Sequence, residues 1–211
     1  MQQSIDAPGR SSTELGRPAA VPDQARPYPG DIAPWRRRLD QVLVGGIEDA
    51  LAWVFRHWLL LANLLVTLAL LGAVGAPVLA AARLDAASAA IHTAYLLLCP
   101  QRPAHSYFLF GQQLALEQRE MAMFGAQFGA GLLYGVLRAR GRWRERLSWS
   151  LLLLFSLPMA WDGLSQAVGL RDSDWQTRTW TGALFSAAFV FWLYPVLDRQ
   201  LRLRRGERIA R

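Results

Sequence analysis

Residues 58–82 read WLLLANLLVTLALLGAVGAPVLAAA, and this stretch decides the class of the fold. It carries no charged side chain. As a helix it is long enough to cross a hydrocarbon layer of about 30 Å. Asn63 and Thr67 lie one helical turn apart and are expected to face other helices. Pro77 is expected to kink the far end.

Three further apolar stretches follow, over 119–137, 147–164 and 179–197. The second of the four spans contains Gly125, Gly129, Gly131 and Gly135, a spacing that lets helix backbones approach closely in lipid. The third carries Pro158 and Asp162 near its end. Between spans two and three, Arg occupies positions 138, 140, 142, 144 and 146. Arg-dense loops mark the cytoplasmic side of a membrane. The tail beyond span four holds Arg199, Arg202, Arg204, Arg205, Arg208 and Arg211, and Arg36, Arg37 and Arg38 precede span one. Four spans put all three clusters on one side. The reading is a multi-pass protein of the bacterial inner membrane with both termini cytoplasmic and residues 83–118 and 167–178 outside.

Composition agrees. The chain has 211 residues, 53% hydrophobic and only 18% charged, below the roughly 25% usual for soluble domains. Every one of its 23 basic residues is Arg, and the net charge is +7. That charge reads as an orientation signal with attraction to anionic lipid, not as a nucleic-acid patch. A single Cys excludes a disulfide framework and an all-cysteine metal site. Neither GxxxxGK[ST] nor GxGxxG occurs.

Residues 1–34 are rich in Pro, Gly, Ser and Gln and read as a disordered cytoplasmic tail without the features of a secretory signal. In 35–56, Leu39, Val42, Leu43, Ile47, Ala50, Leu51 and Val54 recur at helical spacing, opposite Asp40, Gln41, Glu48 and Asp49. This is an amphipathic helix that lies in the membrane interface or packs on the rest of the chain. Residues 57–199 form the transmembrane domain and 200–211 an Arg-rich cytoplasmic tail. Residues 86–99 read as a surface or partly embedded helix, followed by Pro100, Pro103 and a mixed loop. The fold expected is all-α: four transmembrane helices, an interfacial N-terminal helix and a short extracytoplasmic helix-turn.

Cys99, His105, Glu117, Glu120, Asp162 and Gln166 gather at the outer ends of the spans, where ionisable groups are costly and mark functional sites. Cys99-Pro100-Gln101-Arg102-Pro103-Ala104-His105-Ser106 resembles the Cys-His-Gln-x-Pro-x-Arg-Ser motif of the domain-of-unknown-function family numbered 2085, predicted bacterial and archaeal membrane proteins. Glu117-Gln118-Arg119-Glu120 stands where that family has Cys-x-Arg-Cys. Pro158 to Gln166 is similar to its Pro-x-x-x-Asp-Gly-x-Thr-Gln block. Gly169-Leu170-Arg171-Asp172-Ser173, Arg178 and Thr181-Gly182 resemble its Gly-Leu-Arg-Glu-Ser…Arg-x-x-Thr-Gly pattern. The resemblance covers about residues 85–185 and implies a membrane protein without an established activity.

The family pattern offers three thiols and an imidazole, ligands suited to zinc. This chain keeps Cys99 alone and has Pro100, Glu117 and Glu120 at the other three positions. Two readings stand. Cys99, His105, Glu117 and Glu120 form a harder site for a divalent metal such as zinc, or the glutamates join Gln101, Arg102, Arg119, Asp162, Gln166, Arg171 and Arg178 in a salt-bridged polar cluster. Three functions follow: an accessory subunit of a larger membrane complex, a metal-dependent membrane enzyme or redox protein, or a small-solute carrier.

Overall fold

A computed structural model of the chain describes residues 34–142 and 145–209, without the side chains of Pro34, Arg37 and 203–209. All but Pro34 of the disordered tail expected over 1–34, Trp143 and Arg144 of the Arg loop, and the tail arginines' side chains beyond Arg202 lie outside the described residues.

Five helices carry the fold: α1 (Pro34–Ala81), α2 (Asp85–Tyr95), α3 (Gln118–Ala139), α4 (Trp149–Ala167) and α5 (Trp175–Ile209). The chain divides into two compact units, 1–49 and 50–211. In the first unit, Leu39, Val42, Leu43 and Ile47 are all exposed. They form the apolar stripe that the helical spacing anticipates.

In the second unit α5 packs against both α3 and α4. Ala130 and Tyr134 of α3 meet Val190 and Tyr194 of α5, with Trp58 and Leu59 packed around them. Tyr194 stands edge-on to both Trp58 and Tyr134, the arrangement aromatic quadrupoles prefer. Gly131 makes room for Asn63, whose amide side chain occupies the place of a Cβ. Gly125 and Gly129 face open space. Half of the glycine pattern therefore serves contacts within this chain.

The α4 N-terminus is capped by Ser148, whose hydroxyl accepts from the Leu151 amide. Asp174 caps α5 by accepting from the Thr177 amide at 2.6 Å. Asp174 thereby has a structural role at the start of α5. Its hydrogen bonds to Thr177 hold its carboxyl below the ordinary aspartate range.

The all-α expectation needs one correction. Residues 106–117 form an antiparallel hairpin, β1 (Ser106–Leu109) and β2 (Gln112–Glu117), after a short 3-10 turn, Pro103–His105. Its tip is Phe110-Gly111, with φ of 55° and 75°. Two successive positive φ values are what a tight two-residue hairpin turn demands, and Gly supplies one without steric cost. The short strands offer too few alternations to stand out beside helical neighbours. Glu117 ends β2 in extended conformation and occupies the N-cap position of α3 without a side-chain cap hydrogen bond, so Glu117 and Glu120 do not share a helix face.

Two helical stretches, Arg38–Ala81 and Trp175–Arg202, are long and apolar enough to cross a membrane. Helices α3 and α4 occupy the other two expected stretches; polar groups such as Gln118, Arg119, Glu120 and Gln127 lower the hydropathy of α3. Leu65, Leu71, Leu153 and Leu157 are each more than 60% exposed. Apolar surface on that scale is normal against lipid and abnormal against water.

Candidate functional site: a polar cluster at the head of α3

The cluster is assembled where the hairpin enters α3 and where α4 leaves for α5. Asp162, only 1% exposed, stands on α4. Its Oδ2 accepts from Arg119 Nη2 at 2.6 Å and its Oδ1 from Arg171 Nη2 at 2.5 Å. One carboxylate thus ties α3, α4 and the loop after α4 together. Ser165 supports the clasp from the next turn: its hydroxyl donates to the Asp162 carbonyl and accepts from Arg171 Nε. A buried carboxylate holding two guanidinium groups satisfies most of its lone pairs, the condition under which a buried ion pair is tolerated.

Beside this clasp, Arg178 on α5 donates to Gln118 Oε1 at 3.2 Å. Gln118 in turn donates to the Ser106 carbonyl on β1. Gln118 joins helix to hairpin and was not singled out from the sequence. Its position between Glu117 and Arg119 is the signal that marks it.

Glu117 accepts from the Arg102 backbone amide at 2.8 Å and lies 3.6 Å from His105 Nδ1. Burial, with Arg178 nearby, pushes the His105 pKa below its ordinary value, and Glu117 opposes that shift. The imidazole is therefore neutral at pH 7. Arg102, His105, Glu117, Arg119, Glu120, Gln166 and Arg178 line one cavity of about 270 Å³.

The remaining expected site residues lie elsewhere. Cys99 is 4% exposed and packs with Ala73 and Leu116, its Sγ directed at the Ala115 carbonyl at 3.8 Å. Burial raises its thiol pKa, the opposite of what a reactive or ligating thiolate requires. Gln101, at φ 55°, exchanges hydrogen bonds with His92: its Oε1 contacts His92 Nδ1 and its amide donates to the His92 carbonyl, both at 2.6 Å. His92 thus pins the turn after α2. Among the described residues, no three of His, Cys, Asp and Glu are grouped so as to hold a metal ion. The structure brings His105, Glu117 and Glu120 to one cavity and turns Cys99 away from it.

The order and identity of these residues agree with a family pattern. The model of the DUF2085 family, described as a predicted membrane protein, matches residues 99–192. Over residues 99–192 the chain is similar to DUF2085. The match begins at Cys99 and contains every cavity-lining charge and both partners of Asp162. An uncharacterized protein of Methanocaldococcus jannaschii is 28% identical over 109 residues, covering 52% of this chain and 69% of that protein. No solved structure matches the chain. The DUF2085-like segment thus spans the hairpin, α3, α4 and the first half of α5, the elements that build the polar cluster.

Proposed function

We propose that this protein is a four-span integral protein of the cytoplasmic membrane, both termini inside, serving as a structural or accessory subunit of a larger membrane complex. The observation that carries the reading is the uncovered apolar stripe on residues 34–49 of α1. Leu39, Val42, Leu43 and Ile47 are 49%, 71%, 53% and 60% exposed, and Gly45 and Gly46 meet nothing within 4 Å. A stripe of this kind needs cover from a partner helix or the lipid interface. The buried charges support the same reading. Asp162 commits both oxygens to holding elements together, and Asp198 does the same for Arg138 and Arg202, each at 2.8 Å. Gly125 and Gly129 leave one face of α3 smooth enough for a neighbouring helix.

The four-span arrangement rests on helices at all four apolar stretches and on the Arg clusters between and beyond them. A zinc-dependent reading is not favoured, because Cys99 is turned into the apolar cluster of Ala73 and Leu116.

The test is the composition of the native particle, extracted in mild detergent from its own membranes through a C-terminal tag. Stoichiometric polypeptides are expected to co-purify, and Val42→Asp with Ile47→Asp is expected to release them while the protein stays in the membrane fraction. A lone chain or homo-oligomer from native membranes overturns the reading.

A further inference from the structure

The cavity at the head of α3 holds an excess of unspent donors. Arg102, Arg119 and Arg178 line the cavity with Glu117 and Glu120, three guanidinium groups against two carboxylates. Arg119 spends Nη2 on Asp162, and Arg178 spends Nη1 on Gln118. The Nε of each, and the amide nitrogen of Gln166, have no hydrogen-bond partner among the described residues. On the acceptor side, Glu120 Oε2 is likewise unpartnered. Arg178 is 94% buried by its 6% exposure, so its guanidinium is not simply hydrated at the surface. Buried polar groups are paired as a rule, and a set left unpaired around one cavity calls for a ligand that completes it.

We propose that this cavity binds a protonated phosphate monoester or inorganic phosphate, its anionic oxygens held by Arg119, Arg178 and Gln166 and its hydroxyl donating to Glu120. Three donors and one acceptor match that inventory. The cavity's 270 Å³ suits a small oxyanion, being just below the roughly 300–1,000 Å³ typical of sites for larger ligands. The carboxylate of Glu120 supplies the selectivity: sulfate has the same shape but no proton to give at neutral pH, so one of its oxygens would face the Glu120 oxygen. The exposed Arg102 stands at the mouth as a charge that draws anions in. The inference does not depend on the subunit reading, since it concerns a different surface. The same phosphomonoester chemistry is available from the free ion and from a phosphatidic acid headgroup.

The experiment uses the full chain in phosphatidylcholine nanodiscs and equilibrium binding of radiolabelled inorganic phosphate, with sulfate as competitor. Saturable binding near one phosphate per chain is expected, with sulfate weaker by about tenfold or more, the effect of one lost charge-assisted hydrogen bond. Arg178→Gln is expected to abolish binding. Arg102→Gln, an exposed change that leaves the fold intact, is expected to weaken it. Glu120→Gln is expected to narrow the gap between phosphate and sulfate, because an amide can donate to either. Nanodiscs containing phosphatidic acid assign the source: loss of phosphate binding there means a lipid headgroup, and unchanged binding means the free ion. Equal affinity for sulfate, or no phosphate binding together with no phosphatidic acid retained by the purified protein, overturns the proposal.

Discussion

The guanidinium of Arg119 on α3 meets the carboxylate of Asp162 on α4 at 2.6 Å, 43 positions apart in sequence. Arg171 closes on the other oxygen. The same device recurs at the opposite end of α3, where Arg138 and Arg202 hold Asp198. Each end of the helical bundle is therefore closed by one carboxylate and two arginines.

Asp162→Asn removes the charge at the centre of the first clasp and leaves two guanidinium groups short of a partner. The loss is expected to be about 2–4 kcal/mol, less than a fully buried pair gives because Arg171 is 43% exposed and screened. A thermal melt in detergent reads it. In a double-mutant cycle, Asp162 is expected to couple more strongly to Arg119 than to Arg171. A melt unchanged by Asp162→Asn contradicts the clasp.

At Gly182, α5 comes close to the backbone of α3. A Cβ there would lie 2.9 Å from the Arg119 carbonyl oxygen, backbone that cannot swing aside. Gly182→Ala is expected to destabilise by about 1–3 kcal/mol and to disturb Arg119. Gly125→Ala, with nothing within 4 Å, is expected to be neutral or to stabilise by up to about 1 kcal/mol through helix propensity. The two melts together separate steric from intrinsic effects.

His105 gives a pH signature. Burial and Arg178 lower its folded pKa beneath the unfolded value near 6.5. The unfolded chain therefore binds the proton more readily, and stability is lost as pH falls below about 6.5. Unfolding midpoints from pH 8 to pH 5 should show this slope, and His105→Gln should flatten it. An NMR titration of the His105 ring with a midpoint above 6.5 would contradict the assignment.

Cys99 is expected to resist a maleimide in the folded protein and to label fully after denaturation. Its thiol is 4% exposed and its pKa is raised by burial. Labelling within minutes under native conditions, read by mass, would show that the Ala73–Cys99–Leu116 cluster opens.

What the sequence determined alone was the periodic and the cumulative. An uncharged run such as 58–82 has few options besides a long helix. The helices therefore fall where hydropathy places them, and the motif blocks at Cys99, Asp162 and Arg171 were legible as a family resemblance. The sequence also marked Arg119, Arg171 and Asp162 as polar residues of one cluster. Only the tertiary structure decided which charges meet. Glu117 and Glu120 sit three apart in a pattern that reads as helical, yet the hairpin turn at Phe110-Gly111 puts Glu117 on a strand and at the helix cap. Cys99 and His105 stand six apart, yet one faces the apolar cluster and the other the cavity. Helix formation follows from hydrogen bonds between near neighbours and the apolarity of a local stretch, so it is written in consecutive residues. A salt bridge spanning 43 positions depends on how those elements pack, and no local pattern records which partner a buried arginine will find.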